Sequence, residues 1–282
     1  MSGEEKMREY EKELRRVSVP TTHVSGSGKV HIDGVGDIQI SGSGFVSPHE
    51  IKISGSGRLP GGLKTERLKC AGSVSIGGDI EAEEMDFSGS ASIAGSVKAK
   101  SLSASGSFSV DGSVQGSSLK VAGSSRIGGA IELENALHVL GSFRVSGDVR
   151  AGKYMELRGK FDIGGKIVTD DFKAELDRHE SYARDGIEAV NVEIKKRDVE
   201  GVVIFGIPIF GIVSRYGKLY ASDIIAKEKV YLENVCCENV IGKDVTISGG
   251  CIIKGSVKYS NTISVHPKAK LANPPEKIDL KG

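Results

Sequence analysis

A 17-residue repeat constrains the fold of this chain more than any other feature of its sequence. The line LKCAGSVSIGGDIEAEE, residues 68–84, is followed directly by MDFSGSASIAGSVKAKS, residues 85–101, with matching residue types at matching positions. A unit this short cannot bury a core by itself, so successive copies must stack on one another. Further copies in the same frame begin at Ile51, Leu102, Leu119, Leu137 and Met155, and one extra residue (Ala136, Tyr154) precedes each of the last two.

Within each copy, apolar residues alternate with polar ones, which is the periodicity of β-strands. They occupy positions 1, 3, 7, 9, 13 and 15, which in the copy at 68–84 are Leu68, Cys70, Val74, Ile76, Ile80 and Ala82. Positions 5 and 11 are glycine in six consecutive copies, as expected at bends that a Cβ would resist. The pattern predicts an all-β parallel β-helix, a triangular β-solenoid with three short strands and three corners per coil of 17 or 18 residues.

The repeat divides the chain into five segments. Shorter copies near Thr22 and Ile38 keep the phase through the strings VSGSG and ISGSG, so the main solenoid is predicted over 22–172. A charged and apolar insertion follows at 173–218, with a strand at 187–195, and a second solenoid block is predicted over 219–271. Residues 1–21 form either a charged tail or a short helix over 4–16 with Met7, Tyr10, Leu14 and Val17 on one stripe. Residues 272–282 form a C-terminal tail.

The most apolar stretch of the chain lies in the insertion. Residues 201–213 carry no charge, but they are too few to span a bilayer. A hairpin that covers the solenoid core is the favoured interpretation, and contact with a membrane or with a partner subunit stays open. The residues that such a contact would use are Val203, Ile204, Phe205, Ile207, Ile209, Phe210 and Ile212.

No cluster in the sequence predicts catalysis, a cofactor or a metal. Six histidines are scattered singly, and the adjacent Cys236 and Cys237 would point to opposite sides of a strand. Cys70 occupies an inward position, and the four cysteines show no disulfide framework, which favours the cytoplasm. With a net charge of +1 and no basic stripe, nucleic acid is not expected as a partner. We therefore predict that the protein is not an enzyme and has no small-molecule substrate.

Several copies resemble one family closely enough to name it. The strings VSGSGKVHIDG, LSASGSFSVDGSVQGSS and LKVAGSSRIGGAIELEN, followed by YASDIIAKEKVYLENVCCENVIGKDVTISGGCIIKGSVKYS, resemble the bactofilins, polymer-forming cytoskeletal proteins, in their longer form. The resemblance implies a right-handed β-helix that polymerises without nucleotide into filaments or bundles. It also implies a cytoplasmic, in some cases membrane-associated, scaffold for cell-shape, envelope or motility machinery. A typical bactofilin is one uninterrupted solenoid, and the insertion at 173–218 departs from that pattern.

Physical reasoning independently favours self-assembly. A solenoid ends in coils whose backbone groups and apolar columns lack partners, and neither end of this chain shows a long capping helix. The expected partner is therefore the protein itself, in a homopolymer, with membrane or envelope-associated proteins as further partners. The candidate interface comprises Val24, Val30, Ile32, Ile38 and Ile40 at one end and Val257, Tyr259, Ile263 and Val265 at the other. Two alternatives stay open: a trimeric hexapeptide-repeat acyltransferase and a capped solenoid that serves as a binding platform.

Overall fold

All regular structure that is described in this protein is β-strand. The computed structural model describes residues 15–16, 20–197, 202–204, 207–209 and 217–279. The contacts between Cα atoms divide the chain into two compact units, Met1–Asp148 and Val149–Gly282. Parallel coils stack in each unit, so the predicted β-solenoid fold is confirmed.

The first unit is a stack of long strands that bend around the corners of the coil. β4 to β9 pair in parallel, and the register places Leu63 opposite Ile80 and Ile80 opposite Val97, one 17-residue repeat apart. The strands are β1 (Arg15–Arg16), β2 (Thr22–Ile32), β3 (Gly36–Val46), β4 (Glu50–Leu59), β5 (Leu63–Ile76), β6 (Ile80–Ile93), β7 (Val97–Val110), β8 (Val114–Ile127) and β9 (Ile131–Val145).

The inward positions predicted from the alternation are buried. Along β5, pairs of inward side chains are separated by bends near Glu66 and Gly72, and a turn at 77–79 completes the coil. Each of these pairs is at most 6% exposed: Leu63 and Thr65, Leu68 and Cys70, Val74 and Ile76. The extra residue predicted at Ala136 is absorbed as a bulge, since Gly116 lies opposite Leu133 but Ser118 lies opposite Ala136. The alternation thus correctly identifies the core.

The glycines at positions 5 and 11 of the repeat are required for different physical reasons. The position-5 glycines, from Gly72 to Gly159, all have φ between +112° and +128°, a left-handed conformation that side chains resist, as predicted. The position-11 glycines have no positive φ, and the backbone-angle argument is wrong for them. A Cβ on Gly112 would instead lie 2.8 Å from the carbonyl carbon of Gly95 in the neighbouring coil. The second column is therefore glycine because adjacent coils approach closely.

The N-terminal end of the first unit differs from the predicted coils. β2 pairs antiparallel with β3, and β3 pairs antiparallel with β4. The prediction of parallel coils from Thr22 and Ile38 is wrong because the connections at 33–35 and 47–49 are too short for a parallel crossover. The sequence signal is the Asp33–Gly34 pair between two alternating runs, which is typical of a hairpin turn.

The same hairpins explain the SGSG strings. In each string the first glycine is at a corner, with φ of +88° at Gly26 and +117° at Gly55. The second glycine leaves space for the apolar residue four positions earlier: a Cβ on Gly57 would lie 2.6 Å from Cδ1 of Ile53. Each of these strings is therefore a corner glycine followed by a glycine that leaves room for a neighbouring side chain.

Large and small side chains complement each other inside the first unit. The coil that contains Phe87 has Ala91 at its next inward position, and the following coil reverses the order with Ala104 and Phe108. The rings of Phe87 and Phe108 stack with centroids 5.8 Å apart. This exchange keeps the volume of each coil interior similar, as close packing requires.

Ser125 is expected to destabilise the core in which it lies. Its register places it opposite Phe108 and Phe143, it is 7% exposed, and its Oγ atom has no hydrogen-bond partner. We expect Ser125→Ala to raise the free energy of unfolding by about 1 kcal/mol, because a buried hydroxyl without a partner is removed. Urea unfolding followed by circular dichroism measures the effect, with the exposed Ser92→Ala as the control. A lower midpoint for Ser125→Ala would contradict this interpretation.

The second unit is also a solenoid, with coils of less regular length. Its longer strands stack in parallel in the order β10, β11, β13, β17, β19 and β21, and shorter strands form a parallel ladder beside them. The strands are β10 (Val149–Ile163), β11 (Ile167–Leu176), β12 (Ser181–Ala183), β13 (Ile187–Lys196), β14 (Val202–Ile204), β15 (Ile207–Ile209), β16 (Leu219–Ala221), β17 (Asp223–Leu232), β18 (Val235–Cys237), β19 (Asn239–Ile247), β20 (Ile252–Ile253), β21 (Val257–Val265), β22 (Lys270–Leu271) and β23 (Glu276–Lys277).

Coil strands occupy much of the segment predicted as an insertion. β12 and β13 lie within 173–218, and Ile187 of β13 is opposite Ile167 on one side and Ile224 on the other. The periodicity is lost in the sequence because these neighbours are 20 and 37 residues apart instead of 17. After Arg197, the next residue described within the coils is Gly217. Coil structure also extends into the predicted tail, because β23 pairs with β21.

Candidate functional site

The N-terminal tip of the first unit consists of the β2–β3 hairpin, and the outer edge of β2 has no strand partner among the described residues. Of the candidate interface residues at this end, Val24 is half-buried and four are 6% exposed or less: Val30, Ile32, Ile38 and Ile40. Arg15 and Arg16 form β1, which pairs in parallel with Leu63 and Lys64, so these two residues are not in the helix considered for 4–16. Met7, Tyr10, Leu14 and Val17 lie outside the described residues.

Charged groups mark the turn of this hairpin. Nδ1 of His31 lies 2.7 Å from Oδ1 of Asp37, and Nε2 lies 3.7 Å from Asp33. The hydrogen bond to Asp37 is the main reason that the pKa of His31 is raised. The N-terminal tip therefore has a buried apolar interior and a charged turn at one end of its outer strand.

The C-terminal tip of the second unit is open. β21 pairs along one side with β19, but β23 covers only Lys258 and Tyr259 on its other side. From Ser260 to Val265 the outer edge has no strand partner among the described residues. Its backbone N–H and C=O groups can therefore accept an additional strand.

The inward side chains of successive coils stack into columns, and at this tip no further described coil covers the last members of the columns in the second unit. Ile263 lies opposite Val245 and Val265 lies opposite Ile247, and both partners are 1% exposed. Val265 itself is 37% exposed, one of two large exposed hydrophobic residues among those described. Of the other candidates at this end, Val257 is buried, and Tyr259 and Ile263 are half-buried. The two tips therefore differ in burial: four of the five candidates at the N-terminal tip are buried, whereas Val265 at the C-terminal tip is exposed.

A groove of about 410 Å³ on the first unit follows the corner near Lys64, Glu66 and Glu81. Charged groups along it are paired with one another: Lys64 pairs with Glu81, and His49 Nδ1 lies 2.6 Å from Glu66 Oε1. Within the described parts of the chain, no group of three His, Cys, Asp or Glu residues is arranged to hold a metal ion.

All four cysteines are buried thiols without disulfide bonds. Cys70 is 5% exposed, and burial raises its pKa to about 12. Burial also raises the pKa of Cys237 and Cys251 in the second unit. Because the thiolate is the reactive form, these residues act as small core hydrophobes, as the inward position of Cys70 predicts.

The apolar stretch contains a two-stranded hairpin. β14 and β15 pair antiparallel, with Val202 opposite Ile209 and Ile204 opposite Ile207, in a sheet separate from that of the coils. The candidate residues Val203, Ile204, Ile207 and Ile209 lie in these strands, whereas Phe205, Phe210 and Ile212 lie outside the described residues. Among the residues that the structure describes, no helix is long and apolar enough to cross a membrane.

Comparison with known proteins leaves the family of this chain unassigned. No protein-family model, no curated protein and no solved structure matches it.

Proposed function

We propose that this protein is a structural, bactofilin-like polymer former in which the open edge of β21 in one copy pairs with the outer edge of β2 in the next copy. The open C-terminal tip carries the proposal. There, a strand edge without a described partner coincides with Ile263 and Val265, at the end of columns that are buried everywhere else in the second unit. A second copy of the chain is the occupant that can continue both the hydrogen bonds and the columns.

The energetics of the tip support assembly. An added strand satisfies exposed backbone groups, and each apolar Å² that it buries contributes about 25 cal/mol. Residues 260–265 are uncharged, and three of the six are β-branched, which is typical of strands that pair readily. The net charge of +1 for the whole chain opposes association little.

The proposed role is that of a scaffold. The protein would assemble without nucleotide into filaments or bundles in the cytoplasm and hold cell-shape, envelope or motility machinery in place. No catalytic step, cofactor or small-molecule substrate belongs to this function. The support is the stacked coils, the open tip and the resemblance of the repeats to bactofilins.

Val265→Arg is the substitution that tests end-to-end assembly. Arginine at this exposed tip position places a charge against the incoming strand without disturbing a buried side chain, so we expect much shorter assemblies. Val30 is unsuitable for the same test, because it is 6% exposed and arginine there would disrupt the hairpin. Sedimentation velocity and negative-stain microscopy in buffer without nucleotide measure the length of the assemblies.

Leu140→Arg is the matched control. Leu140 is the other large exposed hydrophobic residue, at 52%, and it lies on the outer face of β9 in the first unit. We expect this variant to assemble like the unsubstituted chain. Equal shortening by both substitutions, or by neither, would contradict assembly through the C-terminal tip. A discrete trimer that binds an acyl donor would favour the transferase, and a chain that stays monomeric would favour the capped binding platform.

A further inference from the structure

The strand at the outer edge of the N-terminal tip runs in the same direction as the coils behind it. β2 is antiparallel to β3, and β3 is antiparallel to β4, so the two reversals restore the direction that β4 shares with β5. In direction, β2 is therefore equivalent to the first strand of a coil, and it can pair in parallel with a strand of another coil.

The outermost strand at the C-terminal tip, β21, has the direction of the other longer strands in the second unit. β10, β11, β13, β17, β19 and β21 pair in parallel along the stack. If the N-terminal tip of one copy follows the C-terminal tip of another as a further coil would, β2 lies parallel to β21. Two identical tips that meet about a two-fold axis bring their edge strands together antiparallel. Strand direction thus distinguishes the two kinds of contact.

Inward side chains at the N-terminal tip are incompletely buried on one side of the coil. Thr22 and Val24 of β2 are half-buried, whereas Ile51 and Ile53, two strands deeper in the same columns, are at most 3% exposed. On the side of the coil that follows, Val30 of β2 is 6% exposed. The first side of β2 therefore offers apolar surface that an added strand can bury.

The incompletely buried residues at the two tips occupy the same positions of the repeat. The columns of the first side of β2 continue into positions 1 and 3 of the copy that begins at Ile51. The columns of Ile263 and Val265 begin at positions 1 and 3 of the copy that begins at Met155. Parallel pairing of these two sides therefore joins columns that are equivalent in the repeat.

The corner of β2 leaves a space of the kind that a preceding strand fills at other corners. A Cβ on Gly72, at the corner of β5, would overlap the carbonyl oxygen of Gly55 in the preceding strand, and a Cβ on Gly89 would overlap that of Gly72. Gly26 in β2 also has a positive φ, of +88°, but a Cβ there meets no described atom within 4 Å. The outer side of this corner can therefore accommodate the backbone of another strand.

The two edges carry no charged pair where they would meet. Residues 22–28 and 260–265 contain no Asp, Glu, Lys or Arg. Like charges directly opposite each other on paired strands are destabilising. On this side of the coil, no such pair opposes the contact.

We propose that the polymer is polar, with β21 of one copy parallel to β2 of the next, Ile263 opposite Thr22 and Val265 opposite Val24. This inference rests on the proposed function, because it specifies the contact through which the copies assemble. It excludes a polymer in which C-terminal tips pair with C-terminal tips and N-terminal tips with N-terminal tips.

Cross-linking between two single-cysteine variants tests the polarity. All four native cysteines are buried, so added surface thiols react preferentially. Ser264→Cys and His23→Cys place thiols at exposed positions of β21 and β2 that the proposed register brings opposite each other. When the two variants are mixed before assembly, we expect a short bismaleimide to link one variant to the other and neither variant to itself. Ser92→Cys, at an exposed position of β6, is the matched control and is expected to form no link with Ser264→Cys.

The outcomes separate polarity from assembly. Links within Ser264→Cys alone, or within His23→Cys alone, would show that identical tips meet and would overturn the proposal. Absence of links in the mixture would also overturn it if microscopy shows assemblies as long as those of the unsubstituted chain. These results would leave the polymer itself intact. Failure of Val265→Arg to shorten assemblies would instead count against the end-to-end contact of the proposed function.

A pair of like charges on the next side of the coil tests the register. Lys29 of β2 and Lys270 of β22 are exposed and lie in columns at position 8 of the repeat. The proposed register brings them together in neighbouring copies, which opposes assembly. We expect Lys29→Glu to lengthen assemblies at low salt, because repulsion becomes attraction. Lys120→Glu, on the outer face of β8, is the control and is expected to leave their length unchanged. Assemblies of Lys29→Glu that are no longer than those of the unsubstituted chain would overturn the register.

Discussion

Gly72→Ala is expected to lower the free energy of unfolding by about 3 kcal/mol or more, because it combines a forbidden backbone angle with a steric overlap. Gly72 has a φ of +121°, and a Cβ there would overlap the carbonyl oxygen of Gly55 in the preceding coil. That oxygen belongs to the backbone of a paired strand, so it cannot move away without breaking the register. Urea unfolding followed by circular dichroism measures the loss.

Gly77→Ala is a control within the same coil. Gly77 has no positive φ, and a Cβ there would meet no atom closer than the carbonyl oxygen of Leu59, at 3.6 Å. We expect this variant to unfold within about 1 kcal/mol of the unsubstituted chain, the range of ordinary substitutions. If both variants lost equal stability, flexibility of glycine in general, and not the corner geometry, would be the explanation.

Phe108→Ala is expected to lower the free energy of unfolding by about 3–5 kcal/mol, the usual loss for a buried phenylalanine. Phe108 is 2% exposed and stacks on Phe87, and its neighbours in the column are the small residues Ala91 and Ser125. Because those neighbours cannot expand into the space, the cavity stays open. The strands on either side are held in register, which limits their collapse.

Phe45→Ala is the matched control for this truncation. Phe45 is half-buried on the outer face of the β3 hairpin, where it contacts His23 and Lys52. We expect it to lose clearly less stability than Phe108→Ala in the same urea experiment. A similar loss for the two variants would contradict the alternation of large and small residues as the basis of packing in the first unit.

The fold class and the core of the first unit were predictable because a solenoid strand buries one face only. Alternation therefore identifies Leu68 and Ile76 as inward residues, and the constant spacing of 17 aligns each with its copy in the next coil. Where coil length varies, this signal is lost. Ile187 has its coil neighbours 20 and 37 residues away, so β13 was placed in an insertion although it lies within the stack.

The asymmetry of the two tips was not predictable from the repeat. The copies near Thr22 and Ile38 keep the alternation of the coils, and alternation is the same in parallel and antiparallel strands. Only the short turns at 33–35 and 47–49 distinguish them. The repeat therefore predicts that Val30 and Ile38 lie at an exposed interface, whereas the structure buries both within the antiparallel hairpins.

The sequence by itself determined which residues face inward, where the corners fall and that successive copies must stack, because side-chain alternation and glycine geometry are local properties of the backbone. The direction of each strand, the strand that lies beside it and the burial of the apolar residues at each tip were decided by the tertiary structure. Those features depend on pairing between segments far apart in the chain. Val265 illustrates the difference: its inward position follows from the pattern, but its exposure follows from the absence of a further strand over it in the described structure.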